Sequence, residues 1–356
     1  MLESCRMELK KAQAVLERRK EPGYRLEQVL KGVYQEAAGS YEDIRTLPAP
    51  LRAALEREAP LLSFVMKETL SSESGDAHKA ALRLKDGLLI ETVLLQGARG
   101  RGWTACVSSQ AGCAFGCVFC ATGRAGFERN LSAEEITDQV LFWRRFLKAA
   151  GGEGALSRVV YMGMGEPLQN YEATAASLRD LTNPRLFGMA DRHLSVSTVG
   201  VPGGLARLAA DFPQVNIALS LHAATDELRN RLVPANRAFP LKRLAEALKS
   251  VIERNRRKVF LEVVLIAGVN DGPEDAAALV RFVRSTGCEY LLHVNLIPLN
   301  AAAPGFEPSP REAVHAFQET LAARGVGVTL RRSLGSDIQG ACGQLAGRHG
   351  GRRAHR

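Results

Sequence analysis

Three cysteines lie close together within one short stretch of the chain. Cys113, Cys117 and Cys120 are separated by three and then two residues in the run Gly112–Gly123. A cubane iron-sulfur cluster is normally bound by four thiolates, and no fourth cysteine lies within reach of this short loop. The spacing therefore predicts a four-iron (4Fe-4S) cluster with one iron left without a protein ligand, and such an iron can bind a substrate.

Two simpler interpretations of these cysteines are open from the sequence. They could be three small core residues, or they could form part of a zinc site. Structural zinc sites usually take four ligands from two well-separated pairs, a pattern that Cys113, Cys117 and Cys120 do not form. The iron-sulfur cluster is therefore the favoured prediction.

The other cysteines differ in their surroundings. The chain holds seven cysteines, an odd number that argues against a disulfide scaffold and for thiol or metal chemistry. Cys342 lies in a glycine-rich, irregular segment and is expected to be exposed and reactive. Cys106 lies seven residues before the cluster loop. Cys5 and Cys288 are expected to be inert.

The segments around these cysteines predict an α/β fold. Apolar strands alternate with amphipathic helices, several of which begin with a capping pattern or a proline at Ser132, Pro273 and Pro310. Such βα units indicate a parallel sheet, and about six units are too few for a closed eight-fold barrel. We therefore expect an open, partial (βα)6-type barrel. Its candidate strands are Thr104–Val107, Arg158–Met162, Leu194–Thr198, Asn216–Leu221, Val259–Ile266, Leu291–Ile297 and Val326–Leu330.

Glycine and polar residues collect where these strands end, which is one rim of a parallel barrel. The second, third and fourth strands end in Gly163–Pro167, Ser197–Gly200 and Ser220–His222, and the sixth leads to Pro298–Asn300. Glycines let a ligand approach the backbone, and the polar groups can bind a ribose, an adenine and a methionine head group. Taken one at a time, each loop could be a tight turn with a helix cap, and His222 could be a core histidine with its hydrogen bonds made. The prediction of a ligand site therefore depends on all of these loops lying at one rim.

Two segments precede the barrel. Residues 1–60 have apolar positions at helical spacing, interrupted at Pro22-Gly23 and at Pro48–Pro50, and predict a small helical accessory module. In residues 61–102, apolar and polar residues tend to alternate on both sides of Asp86-Gly87, a hairpin turn signal. This pattern predicts a short antiparallel sheet. The barrel with its C-terminal loop takes up 103–346, and a basic tail takes up 347–356.

The charge of the chain favours a polyanionic partner. The formal net charge is +9, and basic residues concentrate near both ends of the chain. RNA or DNA is the natural candidate, although solvated helix faces would explain the charge equally well. There is no apolar run of about eighteen residues and no signal-peptide pattern, so we expect a cytoplasmic protein without a membrane span.

Five motifs occur together along the chain: Cys-Val-Ser-Ser-Gln-Ala-Gly-Cys at 106–113, the cluster loop, Gly-Met-Gly-Glu-Pro-Leu at 163–168, Ser-Leu-His at 220–222 and Asp-Ile-Gln-Gly-Ala-Cys-Gly-Gln-Leu at 337–345. This combination resembles the RlmN/Cfr family of radical S-adenosylmethionine (SAM) RNA adenine methyltransferases, from about Tyr24 to Ala346. The resemblance implies a radical SAM barrel whose open iron binds the amino and carboxylate groups of SAM. It also implies methylation of an adenine ring carbon in 23S ribosomal RNA (rRNA), at C2 in RlmN and at C8 in Cfr.

The resemblance also implies a role for each matching residue. Cys342 would accept a methyl group from one SAM, and a second SAM, cleaved at the cluster, would yield a deoxyadenosyl radical that activates this methyl for addition to adenine. Glu91 would remove the ring proton, and Cys106 would attack Cys342 to release the product, leaving a transient disulfide. The SAM-binding positions would be Gly165, Glu166, Ser197, Ser220, Leu221, His222 and Asn300, and the cluster ligands Cys113, Cys117 and Cys120.

The implied partners are 23S rRNA, bound in part by the N-terminal module, and an external flavodoxin-like or ferredoxin-like electron donor; the protein would be a monomer. C2 is the favoured target and C8 the alternative, while transfer RNA as a second substrate stays open. Glu91 could instead be a solvent-facing hairpin residue. Two other classes are less favoured. A glycyl-radical activase has no use for Cys106 and Cys342, and an RNA-binding protein with a structural or redox-sensing cluster gains nothing from an open iron.

Overall fold

The computed structural model describes residues 7–97, 100, 102–151, 155–300 and 305–347. Strands β1 to β12 are Phe64–Ser71, Ala77–Leu84, Leu89–Gln96, Trp103–Cys106, Gln110–Gly112, Phe127–Asn130, Leu156–Tyr161, Leu194–Thr198, Asn216–Ser220, Val259–Leu265, Leu292–Pro298 and Gly327–Leu330. Helices α1 to α11 are Met7–Arg18, Tyr24–Leu30, Ala49–Glu58, Ala121–Ala125, Ala133–Ala149, Tyr171–Thr182, Pro202–Asp211, Asp226–Leu232, Leu241–Asn255, Pro273–Ser285 and Arg311–Ala323.

A ten-stranded sheet forms the framework, in the order β1-β2-β3-β4-β7-β8-β9-β10-β11-β12. The seven strands from β4 to β12 in this order run parallel to one another. Strands β1 and β12 are the two edges, so the sheet does not close into a barrel. All seven predicted parallel strands are present, with ends that differ by at most two residues from the prediction. The predicted open α/β architecture is confirmed.

The predicted antiparallel segment is a direct extension of this sheet. Strands β2 and β3 form the expected hairpin around Asp86-Gly87, where Gly87 has a φ of 87°. Strand β1, which the sequence analysis did not predict, pairs with β2, and β3 pairs antiparallel with β4. Residues 98, 99 and 101 of the connection lie outside the described residues. The domain boundaries stay predictions, but the sheet runs continuously from the hairpin into the parallel strands.

A second, two-stranded sheet encloses the cluster loop, and the sequence analysis missed it. Strand β5 ends at Gly112, just before Cys113, and pairs antiparallel with β6, which follows α4. Gly112 has a φ of 79°, and a Cβ there would lie 2.0 Å from the carbonyl oxygen of Gly126. The Cys113 N–H donates to that same oxygen at 2.8 Å. Only glycine permits this close approach, which fixes both ends of the cluster loop.

The predicted capping pattern at Ser132 is confirmed and ties this small sheet to α5. The Ser132 hydroxyl accepts from the Glu135 N–H at 3.1 Å, and the Glu135 carboxylate accepts from the Ser132 N–H at 2.9 Å. Arg129 of β6 forms two further bonds with the Glu135 carboxylate, at 2.8 and 2.9 Å. A capping box with a bidentate arginine is a strong local anchor.

The N-terminal helices dock on α5 and on the loop after α6. Helix α2 continues into a π-helical turn, Lys31–Gln35, and the apolar faces of α1 to α3 join the hydrophobic core of the sheet. Arg144 of α5 donates to the carbonyl oxygens of Tyr34 and Phe187 at 2.9 and 3.0 Å. Residues 1–6, including Cys5, and the tail from 348 onwards lie outside the described residues. None of the described helices is long and apolar enough to cross a membrane.

Candidate active site

Two adjoining cavities lie at the carboxyl ends of the parallel strands. The inner cavity, of about 170 Å³, is lined by the three cysteines of the cluster loop and by strand-end residues that include Gly165, Glu166, Ser197, Ser220, His222 and Glu262. The outer cavity, of about 580 Å³, is lined by Cys106, by Thr104 and by the segment after β12. Cys120, Arg331 and Cys342 line both cavities. The Cys342 side chain therefore lies at the boundary between them.

The cluster loop presents its thiols to the inner cavity. Burial raises the pKa of Cys113 to about 12 and raises that of Cys117 as well. Among the described residues, no three His, Cys, Asp or Glu side chains converge tightly enough to hold a single metal ion. A cubane cluster spreads its thiolate ligands over different irons. The donor set, three thiols on one cavity wall, thus fits a cubane cluster better than a zinc ion.

The loop after β7 supplies a buried carboxylate. One Glu166 oxygen accepts from the Leu168 N–H at 3.0 Å and the other from the Val199 N–H at 2.9 Å. Burial nevertheless raises the pKa of Glu166 to about 7. Gly165 has a φ of 100°, and a Cβ there would lie 2.5 Å from Gln110 Cβ. Glycine therefore lets this loop pack against β5 while Glu166 borders the cavity.

The ends of β8 and β9 add hydroxyl groups and an imidazole. Ser197 Oγ and Ser220 Oγ are 3.1 Å apart. His222, at a φ of 59°, accepts from the Val264 N–H at Nδ1 over 3.2 Å, and its ring meets Phe119 edge-on. Burial lowers the pKa of His222 to about 3, so the ring is neutral at physiological pH. His222 borders the inner cavity, whereas the Leu221 side chain is fully buried and does not line either cavity.

A buried arginine that the sequence analysis missed holds these strand ends together. Arg229 of α8 donates to the carbonyl oxygens of Leu221 at 3.0 Å and Val199 at 2.6 Å, and to Asn236 Oδ1 at 2.8 Å. Its guanidinium has no exposed surface. The charged sequence of α8 is typical of a solvated helix, so no local signal marks this residue.

Cys106 and Cys342 both border the outer cavity. Burial raises the pKa of Cys106 to about 12, and the neighbouring Cys342 adds to this effect. Cys342 has exposed surface, as predicted, and that surface faces the cavities. Burial raises the pKa of the Cys342 thiol, and Arg331 opposes the rise. Asn300, a predicted SAM-binding residue, does not line either cavity. Its amide donates to the Cys342 carbonyl oxygen at 3.1 Å instead.

Glu91 is buried at the base of the same segment. Its Oε2 accepts from the N–H groups of Ala346 and Gly347 at 2.7 and 3.1 Å, and its Oε1 lies 3.2 Å from Lys79 Nζ. The alternative that Glu91 is a solvent-facing hairpin residue is wrong, because the side chain is 3% exposed. It does not line either cavity. Its role as the proton acceptor stays a prediction.

A second carboxylate, Glu262 of β10, was missed although the sequence carried a signal for it. It is the one charged residue in the otherwise apolar strand Val259–Leu265. Its Oε1 accepts from Asn295 Nδ2 at 2.9 Å and lies 3.6 Å from Arg331 Nη1. A lone acid in a buried strand needs partners, so the pattern alone could have marked it as part of a polar site.

Comparisons with known proteins agree with this geometry. Residues 107–282 match the radical SAM superfamily. A crystal structure of a radical SAM methyltransferase from Sphaerobacter thermophilus is similar to this chain, with a TM-score of 0.88 and 41% identity, over 96% of this chain and 98% of that chain.

Two groups of curated proteins are similar over most of the chain. A probable dual-specificity RNA methyltransferase RlmN from Moorella thermoacetica is 42% identical over 91% of each chain, and one from Chloroflexus aurantiacus is 41% identical over 92% of this chain and 88% of that one. A ribosomal RNA large subunit methyltransferase Cfr from Lachnoclostridium phytofermentans is 39% identical over 92% of this chain and 94% of that one. The chain therefore belongs to the RlmN/Cfr family of radical SAM RNA methyltransferases, enzymes that use a 4Fe-4S cluster and SAM.

Proposed function

We propose that this enzyme methylates C2 of an adenosine in 23S rRNA and that Cys342 carries the methyl group between two sites. The observation that best supports this proposal is the position of Cys342 at the boundary of the inner and outer cavities. A sulfur there can take a group from a donor in one cavity and deliver it to an acceptor in the other. Neither molecule then has to move during the transfer.

The inner cavity is the proposed site of the cluster and SAM. Cys113, Cys117 and Cys120 would hold the cluster, while Glu166, Ser197, Ser220 and His222 would bind SAM around it. When bound, the cluster and SAM supply an electron and a carbon-centred radical, the reactivity that a non-nucleophilic ring carbon needs. The neutral His222 ring adds no positive charge to the cavity that would hold the sulfonium of SAM.

The outer cavity is the proposed site of the target adenine. Methyl transfer to Cys342 requires that its sulfur lose a proton; burial raises the pKa of the thiol, and Arg331 favours the loss by opposing that rise. After addition to the ring, the adduct would return one electron to the cluster and Glu91 would remove the ring proton. Cys106 would then attack Cys342, breaking the bond between that sulfur and the product carbon and forming a disulfide, and the released carbon would take up a proton to become the methyl group. The disulfide must be reduced before the next turnover.

The charge of the protein supports an RNA substrate. Arg331 and Arg332 lie at the outer cavity, and the chain carries a net charge of +9. Arginine and lysine side chains bind phosphates and make such binding sensitive to salt. The Cfr relatives are named for large-subunit ribosomal RNA, and the RlmN relatives for dual-specificity RNA methylation. With a ribosomal target, the enzyme would work in the cytoplasm, as a monomer that receives electrons from a flavodoxin-like or ferredoxin-like donor.

C2 is preferred over C8 because the RlmN relatives named above are slightly more similar, at 41% and 42% identity against 39% for the Cfr relative. C8 of the same adenosine is the second candidate. The test is anaerobic reconstitution of the cluster, followed by reaction with reductant, SAM and unmodified 23S rRNA, digestion and chromatography of the nucleosides. 2-Methyladenosine supports the proposal, whereas 8-methyladenosine assigns the second candidate. A parallel reaction with unmodified transfer RNA tests the second substrate.

The non-enzymatic alternative, an RNA-binding protein with a structural or redox-sensing cluster, is tested in the same reactions. Such a protein would bind RNA but would not cleave SAM under reducing conditions. Formation of 5′-deoxyadenosine excludes it, and its absence from a protein with a full cluster would contradict the proposed function.

A further inference from the structure

Glu262 is a buried carboxylate with one oxygen fully engaged and one free. The residue is 4% exposed and lines the inner cavity. Its Oε1 accepts a hydrogen bond from Asn295 Nδ2 at 2.9 Å and lies 3.6 Å from Arg331 Nη1. Its Oε2 is buried and has no hydrogen-bond partner within the part of the chain that the structure describes. A buried carboxylate oxygen without a donor is unfavourable, so a ligand donor would complete this site.

The sheet places Glu262 among other polar side chains of the inner cavity. Ser220 of β9 and Asn295 of β11 are its direct register partners on the two neighbouring strands. Directly opposed residues of neighbouring strands point to the same face of a sheet. Ser197 Oγ, 3.1 Å from Ser220 Oγ, extends this row onto β8. The row crosses four adjacent strands, and Glu262 is the one carboxylate among its four residues.

The chemistry of SAM narrows what the free oxygen can accept. Its N–H and O–H donors are the α-ammonium group, the adenine amino group and the two ribose hydroxyls. The resemblance to the family implies that the open iron would bind the α-amino group, which leaves the adenine amino group and the ribose hydroxyls. An ionised carboxylate is an acceptor and binds hydroxyl donors with short, charge-assisted hydrogen bonds. The neighbouring serine hydroxyls add donors and acceptors suited to a diol.

We propose that Glu262 Oε2 accepts a hydrogen bond from a ribose hydroxyl of SAM in the inner cavity. This inference rests on the proposed binding of SAM in that cavity, and it adds Glu262 to the residues that contact SAM. Asn295 positions the carboxylate through Oε1, which leaves Oε2 for the ligand. Arg331 lies on the Oε1 side and does not occupy the free oxygen.

The test measures SAM binding rather than catalysis. Cluster-loaded protein without reductant is titrated anaerobically with SAM and with its 2′-deoxy and 3′-deoxy analogues, in the wild type and in Glu262→Gln. The wild type should bind one deoxy analogue about tenfold more weakly than SAM, the effect of one hydrogen bond to a charged group. Glu262→Gln should lose about the same factor for SAM and almost nothing for that analogue, since the two changes remove one interaction.

Each other outcome overturns the proposal in an identifiable way. Equal losses for SAM and both analogues in Glu262→Gln would assign the carboxylate to another group, such as the adenine amino group. A wild type that binds SAM and both deoxy analogues equally would contradict the inference even if the variant fails to fold. A wild type that binds no SAM would contradict the proposed function as well. Glu134→Gln, a buried acid of α5 outside both cavities, is the matched control and should bind all three ligands normally.

Discussion

The walls of the two cavities are built in different ways. The inner wall consists of strand ends whose buried polar groups bond to the main chain, such as Glu166 to Val199 and Arg229 to Leu221. One wall of the outer cavity is the irregular segment 331–347, which carries Cys342. Separate contacts attach that segment, among them the Ala121 N–H to the Gly343 carbonyl oxygen at 2.8 Å.

This difference matches the two tasks proposed for the cavities. A cofactor site benefits from fixed geometry, because its donors must be in place before the reaction begins. A sulfur that serves two substrates in turn benefits from a segment whose attachments can break one at a time, and irregular segments with few bonds are where local opening occurs. Substitutions in the wall of the inner cavity are therefore expected to weaken or abolish cofactor binding. Substitutions in the segment around Cys342 should instead weaken its attachment by degrees.

The largest expected effect is the loss of the inner site. Cys113→Ala removes one of three cluster ligands, so iron content should fall to near background, and SAM cleavage should fall to near background with it. Iron and sulfide analysis with 5′-deoxyadenosine quantification measures both. The control is Cys288→Ala, a buried thiol outside the cavities, which should keep its cluster. Retained iron with normal turnover in Cys113→Ala would refute the cluster assignment.

The next effect separates the cavities. Cys342→Ala should keep the cluster and SAM binding, because the inner wall stays intact, but should abolish methylation of the protein and of RNA. Isotope-labelled SAM with mass spectrometry of protein and RNA measures this. RNA methylation by Cys342→Ala at more than about a hundredth of the wild-type rate would remove the methyl carrier from the mechanism.

Cys106→Ala should stop the reaction one step later. Without this thiol the bond between Cys342 and the product carbon has no attacking sulfur, so a covalent protein-RNA adduct should accumulate. Denaturing gel electrophoresis with labelled RNA detects it. The double variant Cys106→Ala/Cys342→Ala should form no adduct, and free turnover by Cys106→Ala would exclude Cys106 from product release.

Features of the fold and site that depend on local interactions could be predicted from the sequence, and those that depend on long-range interactions could not. The parallel strands were predictable because largely apolar runs such as Val259–Leu265 are a local signal, and the cluster loop because its spacing is local too. The pairing of β3 with β4 and of β5 with β6 was harder to predict, because the residue pattern within a strand does not specify its partner. From the sequence, Arg229 would be predicted to be a surface charge. Its role becomes visible only when the strand ends to which it donates are known. Glu262 was predictable in principle, since one acid interrupts an apolar strand.

Glu91 links the hairpin to the irregular segment 331–347. Glu91→Gln leaves Lys79 buried without its ion partner and weakens two bonds to the segment, so unfolding free energy should fall by about 3–5 kcal/mol. Hydrogen exchange at Ala346 and Gly347 should accelerate, while that of the inner-cavity strands should change little. The double variant Lys79→Met/Glu91→Gln should recover part of the stability. Unchanged exchange at both amides would show that Glu91 does not anchor the segment.

The smallest effect concerns the pH dependence of Cys106. Its pKa of about 12 lies above that of an ordinary thiol, so the reactive thiolate is scarce at neutral pH. The rate of its alkylation should therefore rise about tenfold per pH unit without levelling off near pH 9. Peptide mapping after timed alkylation measures this. Cys342→Ser should speed the reaction, because it removes a neighbouring group that raises the pKa; a plateau near pH 9 in the wild type would contradict the buried environment.

The most direct test of the account is to follow one methyl group through the protein. Cluster-loaded enzyme is incubated with methyl-deuterated SAM, and its peptides are mapped by mass spectrometry before and after addition of reductant and unlabelled SAM with 23S rRNA. The account predicts the label on Cys342 alone at first, and then on an adenosine of the RNA as Cys342 loses it. Label that reaches the RNA without ever residing on Cys342, or that resides on another cysteine, would contradict it.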